Sequence, residues 1–135
     1  MAFFVFLFKF SELKQSYKEL DVYKQSFDLF IQMHKITLQL PKHELYELGS
    51  QIRRSSDSIV TNIVEGYGRR MYKNEFVRFL VFSHASCLET ICHLDKIVKL
   101  YPSMNPILQP IHDQYDLLGK KLFKFISYVT QNWKV

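Results

Sequence analysis

Glycine and proline are scarce in this chain, four of each among 135 residues. An all-β domain needs many turns, and turns draw heavily on those two residue types, so the scarcity favours helices. Cysteine is nearly absent: Cys87 and Cys92 are the only two, both in an apolar stretch, too few for a disulfide framework. Residues five apart on a helix point about 140° apart, so these two cannot bridge each other there. They read as buried reduced thiols of a cytoplasmic protein. No apolar run approaches the roughly 18–20 residues needed to cross a bilayer, and no membrane partner is expected. The apolar stretch within residues 1–10 is less than half that length, and it lacks the basic flank and small-residue cleavage site of a secretory signal. Residues 1–15 read as a short extended arm or an extension from an early start codon, with a membrane or partner anchor as the alternative. The remaining residues, 16–135, are assigned to one bundle domain.

What is present is an ordinary globular balance, with 47% apolar and 23% charged residues, which argues against disorder. The length suits a single domain with its own core. A formal charge of +5 permits a polyanionic partner without demanding one.

Four helical segments can be read from periodicity and punctuation. The first runs from about Asp21, as N-cap, to Leu40, where Pro41 stops it. It carries two apolar stripes, Tyr23, Phe27, Phe30 and His34 beside Val22, Leu29, Met33, Ile36 and Leu40, a face wider than one partner helix buries. The second spans roughly 43–65, with Leu45, Leu48, Ile52, Ser56, Ile59 and Ile63 as its stripe. Arg54, Ser58, Thr61 and Glu65 line its other side, and Gly66 and Gly68 suit a left-handed helix end. The third starts near residues 72–74 and reaches Tyr101, with a core stripe of Phe76, Phe79, Leu80, Ser83, Cys87, Thr90, Leu94, Ile97, Val98 and Tyr101. Its small residues allow close helix approach, and Phe82 falls outside the stripe. The fourth opens on Asn105 as N-cap and Pro106 at the first helical position. Its stripe runs Ile107, Ile111, Leu118, Leu122, Phe125 and Val129, with Tyr115 and Trp133 at the edge. Short connections make neighbouring helices antiparallel, so the expected fold is all-α, an up-down-up-down four-helix bundle.

Several of these residues form a recognisable pattern: Leu20-Asp-Val-Tyr23, Pro41 with Glu44, Gln51-Ile-Arg-Arg54, Ser58-Ile59, Asn62-Ile63, Glu65-Gly66, Glu75-Phe76 with Phe79-Leu80, and Ala85-Ser86 followed by Glu89. In these the chain resembles, from about Phe10 onward, a four-helix-bundle family encoded in intervening sequences of bacterial 23S ribosomal RNA genes. The resemblance implies an antiparallel bundle and a ring-forming homo-oligomer, typically a pentamer. A related branch includes the accessory protein of diversity-generating retroelements, which works with a reverse transcriptase and its RNA. The chain departs from the pattern at Met71-Tyr72, where the family often has a small polar residue after the glycine loop.

Arg53, Arg54, Arg69, Arg70, Lys73 and Arg78 concentrate positive charge in a short span, with Asp57, Glu65 and Glu75 interspersed. Guanidinium forks pair with phosphate oxygens, so Arg53, Arg69, Arg70 and Lys73 are the candidate nucleic-acid contacts. The competing reading is a solvated surface with structural Arg–Glu pairs. Arg54 is the arginine expected to be structural. Polar groups of fixed geometry are costly to bury unpaired, which makes Arg54, Ser58, Asn62, Glu65 and Glu89, with Phe82, the candidate oligomer interface; hydrogen bonding within the bundle is the alternative.

Catalytic and metal patterns find little support. A di-iron bundle needs Glu-x-x-His on two helices, and Glu89 to His93 is one residue too long. His84 and Cys87 share a helix side without further ligands, and His34 on an apolar stripe suits a core histidine. Ser55, Ser56 and Ser58 lack a nucleophile elbow, and Gly66-Tyr-Gly68 lacks the Lys-Ser/Thr of a phosphate loop. No catalytic residue, metal or cofactor is therefore assigned. The expected function is a non-enzymatic homo-oligomer that binds RNA or other nucleic acid through its basic surface. The alternative is a protein–protein adaptor, for example for a reverse transcriptase, with no nucleic-acid affinity of its own.

Overall fold

A computed structural model describes residues 16–134; the arm assigned to residues 1–15 lies outside the described residues. A short 3-10 turn at Tyr17–Glu19 leads into α1 (Asp21–Thr37), followed by α2 (Leu48–Gly68), α3 (Lys73–Leu100) and α4 (Asn105–Asn132). No strand occurs among the described residues. Cross-helix pairs run in opposite order along neighbours. Ser55, Ser58 and Ile59 of α2 meet Thr90, Ser86 and Ser83 of α3. Asp95, Cys87 and Phe76 of α3 meet His112, Tyr115 and Phe125 of α4. The four-helix bundle is thus the observed fold, and α2 against α3 is its most extensive contact.

Most apolar stripes face inward. Ile52, Ile59, Ile63, Phe76, Leu80, Leu94, Leu118 and Leu122 are fully buried, each contributing about 1.5–3 kcal/mol of transfer free energy. Several details depart from expectation. Tyr115 lies fully inside the core instead of at its edge, whereas Cys92 and Ile107 are exposed. Of the two α1 stripes, Val22, Leu29, Met33 and Leu40 are buried in the core and Tyr23 and Ile36 pack partly buried against it, whereas Phe27 and His34 are exposed. A helix buries about a third of its circumference, and α1 has α2 as its one extensive neighbour.

Helix boundaries also shift. Asp21 is the first residue of α1 and not its cap, and the segment 38–40 continues as single turns closed on Lys35, Ile36 and Thr37 carbonyls. Residues 42–45 form a 3-10 turn, so α2 starts at Leu48. Likewise Asn105 is the first residue of α4, with Met104 before it.

The glycines after Glu65 have a different purpose from a left-handed cap: no described residue has positive φ, and α2 continues through Gly68. Gly66 is buried where α2 meets α3, and a Cβ there would lie 3.0 Å from the Phe79 Cβ and 3.3 Å from the Phe76 carbonyl. Around Gly68 nothing comes within 4 Å. Gly66→Ala is therefore expected to lose stability, overpacking of about 1–3 kcal/mol outweighing a helix-propensity gain of about 1 kcal/mol. Gly68→Ala should gain up to about 1 kcal/mol; urea-unfolding midpoints of the two variants read the difference in sign.

Candidate nucleic-acid interface

The end of α2 and the start of α3 are joined by residues 69–72, a tight connection closed by backbone bonds. The amides of Arg69 and Arg70 donate to the carbonyls of Gly66 and Tyr67 at 3.0 and 3.1 Å, and Tyr72 N–H donates to Arg69 at 2.9 Å. Beneath it the buried Tyr67 meets Phe76 edge-on, and Phe76 in turn meets Phe125 and Trp133 of the α4 end. Trp133 Nε1 donates to the Arg70 carbonyl at 3.1 Å, and Lys73 Nζ donates to the Thr130 carbonyl at 3.0 Å. That carbonyl belongs to the last turn of α4, where unpaired acceptors and the helix dipole favour a cation. The loop is therefore fastened at two points to another helix.

On this platform the arginines lie against rings. The Arg70 guanidinium sits 4.2 Å from the Tyr67 ring centre, and its Nη1 donates to the Tyr67 carbonyl at 3.1 Å. Arg69 lies 4.6 Å over Phe79 and Arg78 lies 5.5 Å over Phe82, while the two phenylalanine rings meet edge-on at 5.5 Å. Glu75 stands between Arg69 and Arg78, at 4.0 and 3.8 Å. Both arginine side chains are more than half exposed, so water screens these pairs and they exchange easily. A stacked guanidinium keeps its edge N–H groups free for a second partner.

Arg69, Arg70 and Lys73 are thus brought together, and Arg53 is not. Sixteen residues along α2 at 1.5 Å each put it about 24 Å away. Its Nη1 donates to the Thr37 hydroxyl at 3.0 Å and its Nη2 to the Leu45 carbonyl at 2.6 Å, tying the end of α1 and the 3-10 turn to α2. Arg53 therefore leaves the candidate phosphate-contact set for a structural one. Arg54, expected to be structural in contrast to the loop pair Arg69-Arg70, is exposed and makes no hydrogen bond or ion pair among the described residues. The 100° step between consecutive helical residues decides which arginine turns inward. Arg78 was counted in the basic run but not assigned to the site; its position three after Glu75 and beside Phe79 is the signal that places it there.

The polar back of α2 is only partly free. Ser58 and Ser86 hydroxyls lie 2.9 Å apart across the α2–α3 seam. Asn62 Nδ2 donates to both the Ser58 carbonyl and hydroxyl at 2.9 Å. Hydrogen bonding within the bundle accounts for Ser58 and Asn62, and no second subunit is needed to satisfy them. Arg54, Glu65, Phe82 and Glu89 remain exposed on the same flank. Ser55 and Ser56 are buried and donate to the Ile52 and Arg53 carbonyls.

Metal-binding patterns weighed in the sequence dissolve. His93 is buried and, among the described residues, its ring nitrogens reach Glu89 alone, at 3.4 Å. Cys87 donates to the Tyr115 carbonyl at 3.3 Å, and burial, with the Asp116 charge adding, pushes its thiol up to about 12. It stays protonated at neutral pH, where a metal ligand must be a thiolate. Among the described residues, the group whose ligand atoms converge is instead His112, Asp113 and Asp116.

Arg53→Ala should destabilise the fold by about 1.5–3 kcal/mol, the value of charged hydrogen bonds to half-buried acceptors. Arg54→Ala should stay within about 0.5 kcal/mol of the parent. Equal effects of the two substitutions on chemical unfolding would contradict the assignment.

No curated protein is significantly similar to the chain in sequence. Residues 18–124 do match the sequence model of a family described as 23S rRNA-intervening sequence protein, a span that takes in α1, α2, α3, the arginine-bearing loop and most of α4. With that match covering well over half its length, the chain belongs to the 23S rRNA-intervening sequence protein family.

Proposed function

We propose that this protein is a non-enzymatic homo-oligomer that binds structured RNA by charge and shape through the end of the bundle carrying Arg69, Arg70, Lys73 and Arg78. The observation that carries the reading is the arginine–aromatic array on a loop held rigid by α4. Pre-positioned guanidinium groups lose little side-chain freedom when they meet phosphates. Nothing in the array resembles a base-reading element, so affinity without sequence selectivity is the expectation. Lys73 is already engaged with a carbonyl, and Arg70 with another. Arg69 and Arg78 therefore carry the larger share of phosphate contact, with Glu75 yielding its place to the polyanion.

Self-association is part of the same proposal, because each subunit added to a ring would repeat the patch and raise avidity. The family resemblance implies five subunits. Exposed Phe82, flanked by Arg54, Glu65 and Glu89, is the contact proposed on the α2–α3 flank. Phe27, Ile31 and Leu38 on or just after α1 are also exposed, and an apolar row of that kind suits a protein contact. That row is also what favours the adaptor reading, in which a protein partner covers α1 and the basic end merely assists.

Binding to a folded RNA is expected to weaken steeply with salt, with a log–log slope near −3 if four cations meet phosphates. Arg69→Glu combined with Arg78→Glu should cut affinity at low salt by at least tenfold, while Arg54→Ala should leave it nearly unchanged. Absence of RNA and DNA binding at low salt, with recovery of one discrete protein partner from the host, would establish the adaptor instead. Light scattering at micromolar concentration should give a mass several times the 16.2 kDa of the monomer; a species near 16 kDa removes the ring.

A further inference from the structure

The hairpin end where α3 passes into α4 holds a group of side chains used by neither the core nor the arginine face. It lies about 33 Å along α3 from Lys73, twenty-two residues at 1.5 Å each. His112 Nε2 is 2.9 Å from Asp95 Oδ1, across the two helices. On the other side of the ring, Nδ1 is 3.5 Å from Asp116 Oδ2 and 4.0 Å from Asp113 Oδ1. Nδ1 is shielded from solvent and has no hydrogen-bond partner. Asp113 Oδ1 also accepts from Gln109 Nε2 at 2.9 Å. Among the described residues no lysine or arginine forms an ion pair with any of these three aspartates.

Asp95 thus stands at Nε2, and Nδ1 on the far side of the ring faces two carboxylates without a hydrogen-bond partner of its own. A lone pair facing anions is repulsive unless a cation stands between them. The 3.5 Å from Nδ1 to Asp116 is longer than the roughly 2.7–2.9 Å of a charge-assisted hydrogen bond. Ligand atoms about 2.0–2.2 Å from a shared tetrahedral ion are instead about 3.4 Å apart, which is the Asp116 spacing. Asp113 needs only a small side-chain rotation to join, since all three ligand atoms already lie within 4.8 Å of one another. His112 and Asp116 stand one helical turn apart on a single face, so α4 alone presets the pair. A carboxylate behind the far nitrogen of a ligating histidine is the usual means of holding the ring's tautomer and direction.

We propose that His112 Nδ1 and carboxylate oxygens of Asp113 and Asp116 bind a divalent first-row transition-metal ion of the zinc type, with Asp95 orienting the imidazole. The mixed nitrogen and oxygen donors favour such an ion over magnesium or calcium, which take oxygen cages. Three protein ligands leave a coordination position for water or for a fourth group.

Calorimetric titration of the full chain with zinc chloride at pH 7 should show saturable binding of one ion per chain and a raised thermal midpoint. His112→Ala and Asp116→Asn should each abolish saturable binding; Asp116 is exposed, so that variant serves if the histidine variant fails to fold. Asp95→Asn, which removes no ligand, should weaken binding by about 10–100-fold. Cys92→Ser and His34→Ala should leave it unchanged. The proposal is overturned if the parent binds no zinc saturably, or if binding survives His112→Ala and disappears with Cys92→Ser. It is equally overturned if NMR finds the His112 ring doubly protonated at pH 7, because Nδ1 then has no lone pair to offer.

Discussion

Ser83 of α3 donates its hydroxyl to the Ile59 carbonyl of α2 at 2.7 Å, a side chain of one helix bonded to the backbone of the next. That contact requires the helices to lie close, and small residues on both sides allow it. Gly66 leaves no room for a methyl group against Phe76 and Phe79, and Ser55 meets Thr90 at 2.8 Å within the same seam. A buried hydroxyl without a partner costs about 1–3 kcal/mol, so each bond both permits burial and fixes register. Once α2 and α3 are held in this way, the remaining helices pack against an established pair.

The loop chemistry depends on that seam. Because α2 continues in helix through Gly68, Arg69 emerges over α3 and lies on Phe79. Phe76, three residues before Phe79 on α3, gathers Tyr67, Phe125 and Trp133, and the α4 end is thereby brought to the loop. The positive end of the molecule is thus built from core contacts, and its rigidity is a by-product of the same aromatic cluster. At the other end, the α3–α4 hairpin faces Asp95 with His112, two residues seventeen apart in the chain that meet through packing.

Much of the fold was legible in the residues themselves. The period of Ile52, Ser56, Ile59 and Ile63, and of Phe76, Leu80, Ser83 and Cys87, marks inward faces that the bundle does bury. Small residues on α3 pointed to a close neighbour, and α2 is that neighbour. Legibility failed where a choice rests on a rotation of a single residue or on the other side of a contact. Arg53 and Arg54 look alike in sequence, yet one turns under α1 and the other into water. Ser58 looked like an outward polar group because nothing in its own helix shows that Ser86 stands opposite. His34 sat on an apolar stripe, but no helix among the described residues covers that stripe at His34.

By itself the sequence determined the number of helices, their approximate ends, the family, and the crowding of basic residues around the α2–α3 loop. Those are local properties: periodicity, punctuation by Pro41 and Pro102, and composition act within a turn or two. Only the tertiary structure decided which polar groups are satisfied internally, which arginine is structural, and that Tyr115 belongs to the core. It also decided that His112 faces three carboxylates. Each of these depends on groups distant in the chain coming within hydrogen-bonding distance, and helical period says which face a residue occupies but not what stands against that face.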